Sequence, residues 1–200
     1  MRMRIFYILI AVIMIFSVSA CAGQGISGSG GGSTNLTGSA IDVLGKLDED
    51  LKQTGIQMPM TLPPMEVQSD MAHNDVGLSS PDFDRLVTSA ASSLAAIGTF
   101  AHQIVIIQAN DASAASQIKN LISGTDGYDA QKWICVWPDK AVVVESGSYV
   151  LLAAAHTDVV DAAVEAFQND AGSIGTVVTF YEHDGVHDAP VGGGTPITLG

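Results

Sequence analysis

Four methionines lie within one short stretch of the chain, and thioether ligands are the chemistry of a soft metal site. The stretch contains Met58, Met60, Met65 and Met71, and His73 follows it closely. Thioether sulfurs select Cu(I), so Met58, Met60 and Met65 are candidate copper ligands. The alternative is that a proline-rich segment packs its methionines into irregular gaps of the core. Because soft sites usually repeat the Met-x-Met pair and the chain beyond residue 21 has one, packing is the favoured interpretation.

Two histidines near the C-terminus make a second candidate metal site. His183 and His187 lie in the segment His-Asp-Gly-Val-His-Asp, and they could bind Zn(II) if this segment folds back on itself. Gly185 and the strand pattern before it favour a loop, and no third ligand follows at a recognised spacing. A solvated acidic turn is therefore the favoured interpretation, and we predict no metal and no cofactor.

Motifs of known hydrolases are missing from the sequence. There is no Gly-x-Ser-x-Gly elbow, no His-Glu-x-x-His helix, and no Ser-x-x-Lys paired with Lys-Thr-Gly. His102 and His156 lie at the ends of apolar strands, where a capping or edge role is usual. Cys135 lies in an apolar stretch and is expected to act as a small hydrophobe. We predict that the protein is not an enzyme.

The start of the chain is typical of a lipoprotein signal. Arg2 and Arg4 precede an unbroken apolar run over residues 5–16, and Val18-Ser19-Ala20-Cys21 follows it. A basic start, a short apolar core and a small-residue cleavage site indicate a secretory signal. A transmembrane helix would need about 20 apolar residues, which is more than this run provides. The cysteine at the first mature position predicts attachment of a diacylglycerol to the Cys21 thiol.

Composition excludes one large class of partners. The chain has 8 Lys and Arg against 21 Asp and Glu, and 47% of its residues are hydrophobic. This hydrophobic content suffices for a core, while the net charge of −13 repels phosphate backbones and excludes nucleic-acid binding. Cys135 is the one other cysteine, so no intrachain disulfide is expected after lipidation.

The chain divides into four predicted segments. These are a signal peptide (1–20), the lipidated cysteine with a flexible Gly/Ser tether (21–38), a single domain (39–183) and a disordered tail (184–200). A helix is predicted over 40–52, capped by Ser39 and Asp42. The proline-rich stretch 56–71 should be extended or irregular.

Alternating strand and helix signals fill the rest of the domain. Apolar residues at helical spacing predict a helix that starts at Ser80-Pro81 and runs through Phe83, Leu86, Val87, Ala90 and Leu94. Strands are predicted over 103–108, 141–145 and 149–155, and the last two should form a hairpin through the turn Ser146-Gly147-Ser148. An edge strand is predicted within 176–182, and helices should begin at caps Asp111 and Asp158. This order predicts an α+β fold: a mainly antiparallel sheet with helices packed on one face.

Residues 101–167 resemble the bacterial lipoprotein family "domain of unknown function 4358". The segments that carry the resemblance are Ile104-Val105-Ile106-Ile107, Ala109-Asn110-Asp111-Ala112-Ser113-Ala114-Ala115, Trp137-Pro138-Asp139, Ala141-Val142-Val143-Val144, Gly147-Ser148-Tyr149-Val150 and the helix from Val159 to Phe167. The resemblance implies a fold and an address outside the cytoplasm, and it implies no catalytic residues. It also implies a strand where residues 86–97 show helical spacing, which leaves helix and strand open there.

The sequence therefore predicts a membrane-anchored extracytoplasmic lipoprotein of the cell membrane. Its mature part should be a non-catalytic binding or envelope-associated module, with an envelope protein or a small ligand as partner. The alternative is a metal-binding lipoprotein that uses the methionine cluster or the histidine loop. An enzyme of unrecognised type is the third hypothesis.

Overall fold

Six antiparallel strands form one sheet in the computed structural model, which describes residues 33–183. In chain order these are β1 (Met65–Glu66), β2 (Val87–Leu94), β3 (Gln103–Ala109), β4 (Lys140–Ser146), β5 (Tyr149–Ala155) and β6 (Val178–Glu182). Their order across the sheet is β1-β2-β3-β5-β4-β6. The helices are α1 (Ala40–Gln53), α2 (Ala72–Val76), α3 (Ser80–Leu86), α4 (Ala112–Ile122) and α5 (Thr157–Ala171). The predicted α+β class with an antiparallel sheet is confirmed.

Several predictions from the sequence lie outside the described residues. These are the signal peptide, the lipidation of Cys21, most of the tether, His187 and the tail. Within residues 33–183, no helix is long and apolar enough to cross a membrane.

Helices cover both faces of the sheet, whereas the sequence predicted them on one. Helices α1 and α5 pack on the face that carries Ile104 and Ile106, and α2, α3 and α4 pack on the face that carries Val105 and Ile107. Neighbouring residues of a strand point to opposite faces, so a run of apolar residues buries both sides of β3. Each apolar face then needs its own layer of helices.

The predicted helix that begins at Ser80 is shorter than its apolar spacing indicates. Helix α3 ends at Leu86, and residues 87–94 form β2, which pairs with β3 along its whole length. This segment contains three serines, a threonine and a valine, which are poor helix formers, beside two alanines and a leucine, so its preference for a helix is weak. Pairing with a fully buried neighbouring strand overrides that weak preference. The alternative of a strand in this region, left open by the sequence, is the one that occurs.

Local capping signals locate two of the helix starts correctly. The Asp42 carboxylate accepts hydrogen bonds from the backbone N–H and the hydroxyl of Ser39, at 3.0 and 2.6 Å. The Asp111 carboxylate accepts a 2.7 Å bond from the Ala114 N–H, as expected for an N-cap. The predicted cap of α5 is wrong by two residues. The N-cap is His156 and not Asp158, so the helix begins at Thr157.

The two ends of the sheet differ in what they carry. At one end, which we call the entry end, the N-terminal segment joins the fold: the Asn35 N–H donates to the Ala171 carbonyl at 2.9 Å, and the Tyr149 hydroxyl donates to the Gly38 carbonyl at 2.7 Å. The last residues of the predicted tether, 33–38, therefore contact the domain.

The opposite end, which we call the distal end, is where β2 and β5 finish and β3 and β4 begin. Strand β4 has seven residues and spans the distance between the two ends, about 20 Å at the usual rise per residue. Any site at the distal end is therefore well separated from the point where the N-terminal segment joins.

Candidate functional site

A cavity of about 500 Å³ opens at the distal end, and we call it the distal cavity. Its lining combines polar, charged and apolar side chains from four segments: Gln57, Met58, Pro59, Phe100, Asp139, His156, Thr157 and Asp158. The segments meet here because β4 begins beside the end of β5, and the irregular segment before β1 passes over the same edge. Ligand sites are typically concave and hold a few converging polar groups among apolar ones.

An imidazole–carboxylate pair is the main polar feature of the distal cavity. His156 Nδ1 lies 2.8 Å from Asp139 Oδ2, and the Thr157 backbone N–H donates to the same oxygen at 3.4 Å. Because a carboxylate accepts, Nδ1 is the ring nitrogen that carries the proton in this contact. The other ring nitrogen, Nε2, is then the one that a ligand in the cavity would use.

The backbone around Asp139 holds its carboxylate in place. Its N–H donates to the Ala155 carbonyl at 3.0 Å, and its carbonyl accepts from the His183 N–H at 2.7 Å. Both contacts continue the sheet beyond the ends of the named strands, so the pair is positioned by the sheet and not by a free loop.

A second histidine at this end is buried. His102 directly precedes β3 and is 2% exposed, and its Nδ1 has no hydrogen-bond partner among the described residues. Burial, together with the charge of nearby His156, lowers the pKa of His102 to about 4. The ring is therefore neutral at ordinary pH.

Both residues of the Asp139–His156 pair were named in the sequence analysis, but their contact was not predicted. Asp139 is part of the Trp137-Pro138-Asp139 segment of the family resemblance, and His156 was identified as a strand-end residue. In the β4–β5 hairpin, Lys140 lies opposite Ala155, so residues 139 and 156 are the next pair in the same register. The signal that could have found this site was therefore the hairpin itself, whose turn at Gly147 the sequence predicted correctly.

The three candidate copper ligands are not gathered at one point. Met58 lines the distal cavity, while Met60 and Met65 are exposed along the sheet edge. The Met60 carbonyl accepts from the Ala96 N–H, and Met65 pairs with Ser92. The partners Ala96 and Ser92 are four residues apart, so Met60 and Met65 are separated by about 13 Å along the sheet edge. The edge strand therefore spreads the methionines instead of collecting them.

Of the two candidate zinc ligands, His183 and His187, one lies within the described residues. His183 directly follows β6, and its ring lies 6.1 Å from the Trp137 ring, while His187 is outside the described residues. Within residues 33–183, no group of three or more His, Cys, Asp or Glu side chains could hold a metal ion.

Cys135 differs from its expected role as a buried hydrophobe. It is exposed, and its backbone adopts a left-handed conformation with φ of 67°. Such a conformation is unusual outside glycine and marks a tight bend in the loop before β4. The apolar residues around it therefore belong to a surface loop and not to a buried strand.

A second cavity, of about 520 Å³, lies where α2, α3 and the end of α4 meet. It contains His73, Asp82 and Asp126. The Asp82 carboxylate is already engaged by the Ser79 hydroxyl and the Arg85 guanidinium, at 2.6 and 2.8 Å. These bonds hold the pKa of Asp82 below its usual value, and they cap and stabilise α3. The distal cavity, where two titratable groups pair in the cavity wall, is the better candidate.

The groups that line the distal cavity can make both polar and apolar contacts with a ligand. A hydrolase would need a nucleophile hydrogen-bonded to the free imidazole nitrogen. Among the described residues, no hydroxyl or thiol donates to the His156 ring. The carboxylates of Asp139 and Asp158 favour hydrogen-bond donors or a cation, while Met58 and Phe100 offer apolar contact.

No family model, curated protein or solved structure matches this chain. The resemblance to the lipoprotein family therefore stays a prediction.

Proposed function

We propose that the protein is a lipid-anchored lipoprotein that holds a non-catalytic binding module outside the cytoplasm, with the distal cavity as its ligand site. The observation that carries this proposal is the separation of the two ends of the sheet. The chain joins the fold at the entry end, through Asn35 and Gly38, about 20 Å from the cavity. An anchor on the preceding residues leaves the cavity on the side of the domain away from the membrane.

The predicted anchor and the length of chain after it are compatible with that arrangement. Eleven residues separate Cys21 from Ser33, and their composition is rich in glycine and serine. A flexible chain of this length has an r.m.s. end-to-end distance of about 17–20 Å. Two acyl chains give stable attachment because each buried methylene contributes about 0.8 kcal/mol.

Cys21→Ala tests the predicted lipid attachment directly. Without the thiol no diacylglycerol can be attached, so we expect the variant to lose all label from a clickable palmitate analogue and to leave the membrane fraction or remain unprocessed. The matched control is Cys135→Ala, which removes the other cysteine and should keep the label. Label retained on Cys21→Ala would contradict the proposal.

Metal binding is the second candidate function, because Met58 and His156 line the same cavity. A thioether and an imidazole together suit copper. If this site binds metal, the purified protein should retain one equivalent of Cu(I) against a competing chelator, and both Met58→Leu and His156→Gln should abolish that retention.

We expect instead only weak attraction to the acidic surface, which about 0.15 M salt should screen. For the histidine loop, the corresponding measurement is Zn(II) binding by the wild type and by His183→Ala. Stoichiometric binding that survives this salt concentration and is lost in these variants would favour the metal-binding function over the module proposed above.

A further inference from the structure

Large apolar side chains are exposed at the distal end of the sheet, where the distal cavity also opens. Met60 is 76% exposed, Ile97 56%, Phe100 43% and Ile134 86%, and we call these four residues the distal surface. Met60 bonds through its carbonyl to Ala96, just beyond the end of β2. Ile97 and Phe100 lie in the β2–β3 loop, and Ile134 lies in the loop before β4. Exposed apolar groups concentrated in one region indicate an interaction surface.

The loop that carries Ile134 is fixed at its start by a largely buried lysine. Lys132 Nζ donates to the Asn74 carbonyl at 2.7 Å and to Gln103 Oε1 at 2.6 Å. The same nitrogen lies 4.4 Å from the centre of the Tyr128 ring, which gives a cation–π contact. Tyr128 in turn donates its hydroxyl to Gln103 at 2.6 Å. The buried amide of Gln103, the first residue of β3, thus connects this segment to the sheet.

The same loop is fixed at its end by the sheet. Pro138 is buried, and the Asp139 N–H donates to the Ala155 carbonyl at 3.0 Å. With both ends held and Cys135 in a left-handed bend, Ile134 lies on a short, constrained loop. A side chain held in this way loses little conformational entropy when it enters a partner, so such loops make efficient binding contacts.

Charge selects the kind of partner. The net charge of the chain is −13, and Asp139, Asp158 and Glu182 lie at the distal end, where Lys140 is already paired with Asp161 at 2.7 Å. This charge opposes association with an anionic membrane and with a second copy of the same chain. The distal end also lies away from the entry end, where the proposed anchor connects. A protein with an apolar centre and a basic rim is complementary to the distal surface on both counts.

We propose that the distal surface docks onto a protein partner outside the cytoplasm whose contact region is apolar at its centre and rich in Lys and Arg around it. This inference deepens the proposed function and rests on it, because the lipid anchor is what directs the distal end away from the membrane. Ile134 and Phe100 are the central contacts.

Site-specific photo-crosslinking of the full-length chain in the cells that produce it tests the docking. A photoreactive phenylalanine analogue at position 134 should give one discrete adduct, and the crosslinked peptide of the partner, read by mass spectrometry, should be apolar and flanked by Lys or Arg. The same probe at position 121, an exposed leucine on α4, is the control and should give no such adduct. Phe100→Ser should reduce the adduct at position 134 at least tenfold, whereas Val177→Ser, at an exposed position just before β6 and beside the middle of β4, should leave it unchanged.

The alternative occupants are read from the same experiment. An adduct to a second copy of the chain or to lipid would overturn the proposal, as would equal adducts at 134 and 121 or no adduct at 134. Palmitate labelling of the same samples separates the two proposals. A labelled protein without the adduct overturns the docking alone, and an unlabelled protein with the adduct overturns the lipid anchor alone.

Discussion

Phe167→Ala is expected to lower the free energy of unfolding by about 3–5 kcal/mol, a large part of the stability of a domain of this size. Phe167 lies in the last turns of α5 and is 1% exposed, within the cluster that joins α1 and α5 to the sheet. Removing its ring loses the transfer free energy of the buried atoms and leaves a cavity between helix and strands. Urea denaturation of the chain without residues 1–21 measures the change.

Ile134→Ala is the control for that measurement. It shortens an apolar side chain at the distal end that is 86% exposed, so little buried area is lost and the change should stay within about 0.5 kcal/mol. Equal effects of the two substitutions, or a change within error of zero for Phe167→Ala, would contradict the packing of α5 on the sheet.

Acidification from pH 7 to pH 4 is expected to cost the domain about 3 kcal/mol through His102 alone. Burial lowers the pKa of this imidazole from 6.5 to about 4 in the folded protein. As pH falls below 6.5, His102 binds a proton in the unfolded chain but stays neutral in the folded protein. Unfolding is therefore increasingly favoured until about pH 4. Each pH unit of this difference is worth about 1.4 kcal/mol, and below pH 4 the loss from this group ends.

Comparing the pH dependence of wild type and His102→Leu isolates this contribution. Whatever the stability of the variant at pH 7, that stability should fall about 3 kcal/mol less than the wild type's between pH 7 and pH 4, because leucine does not titrate. Denaturant midpoints at half-unit pH steps give the two curves. Parallel curves for wild type and His102→Leu would show that the ring is not kept neutral by burial.

Local signals in the sequence were sufficient for most of the helices and strands. The cap residues Ser39 and Asp111 and the turn at Gly147 depend on hydrogen bonds or backbone angles within a few residues. Such interactions are present in the sequence order itself, so α1, α4 and the β4–β5 hairpin were predicted close to their observed bounds. The predicted edge strand within 176–182 is observed as the shorter β6.

Long-range contacts decided the points that the sequence missed. Residues 87–94 form a strand because β3 offers them a continuous partner, and a period in the sequence cannot represent that partner. The helices occupy both faces because β3, β4 and β5 are apolar on both sides, which a run of Val and Ile allows but does not assign to particular helices.

The candidate site shows the same division most clearly. The sequence by itself determined the residue types that the distal end contains and the turn that pairs β4 with β5. Only the tertiary structure decided that Asp139 and His156 touch, that Met58 joins them and that Ile134 is exposed. The physical reason is that hydrogen-bond geometry and burial depend on distances between side chains from separate segments, and those distances exist only after the sheet has fixed its register.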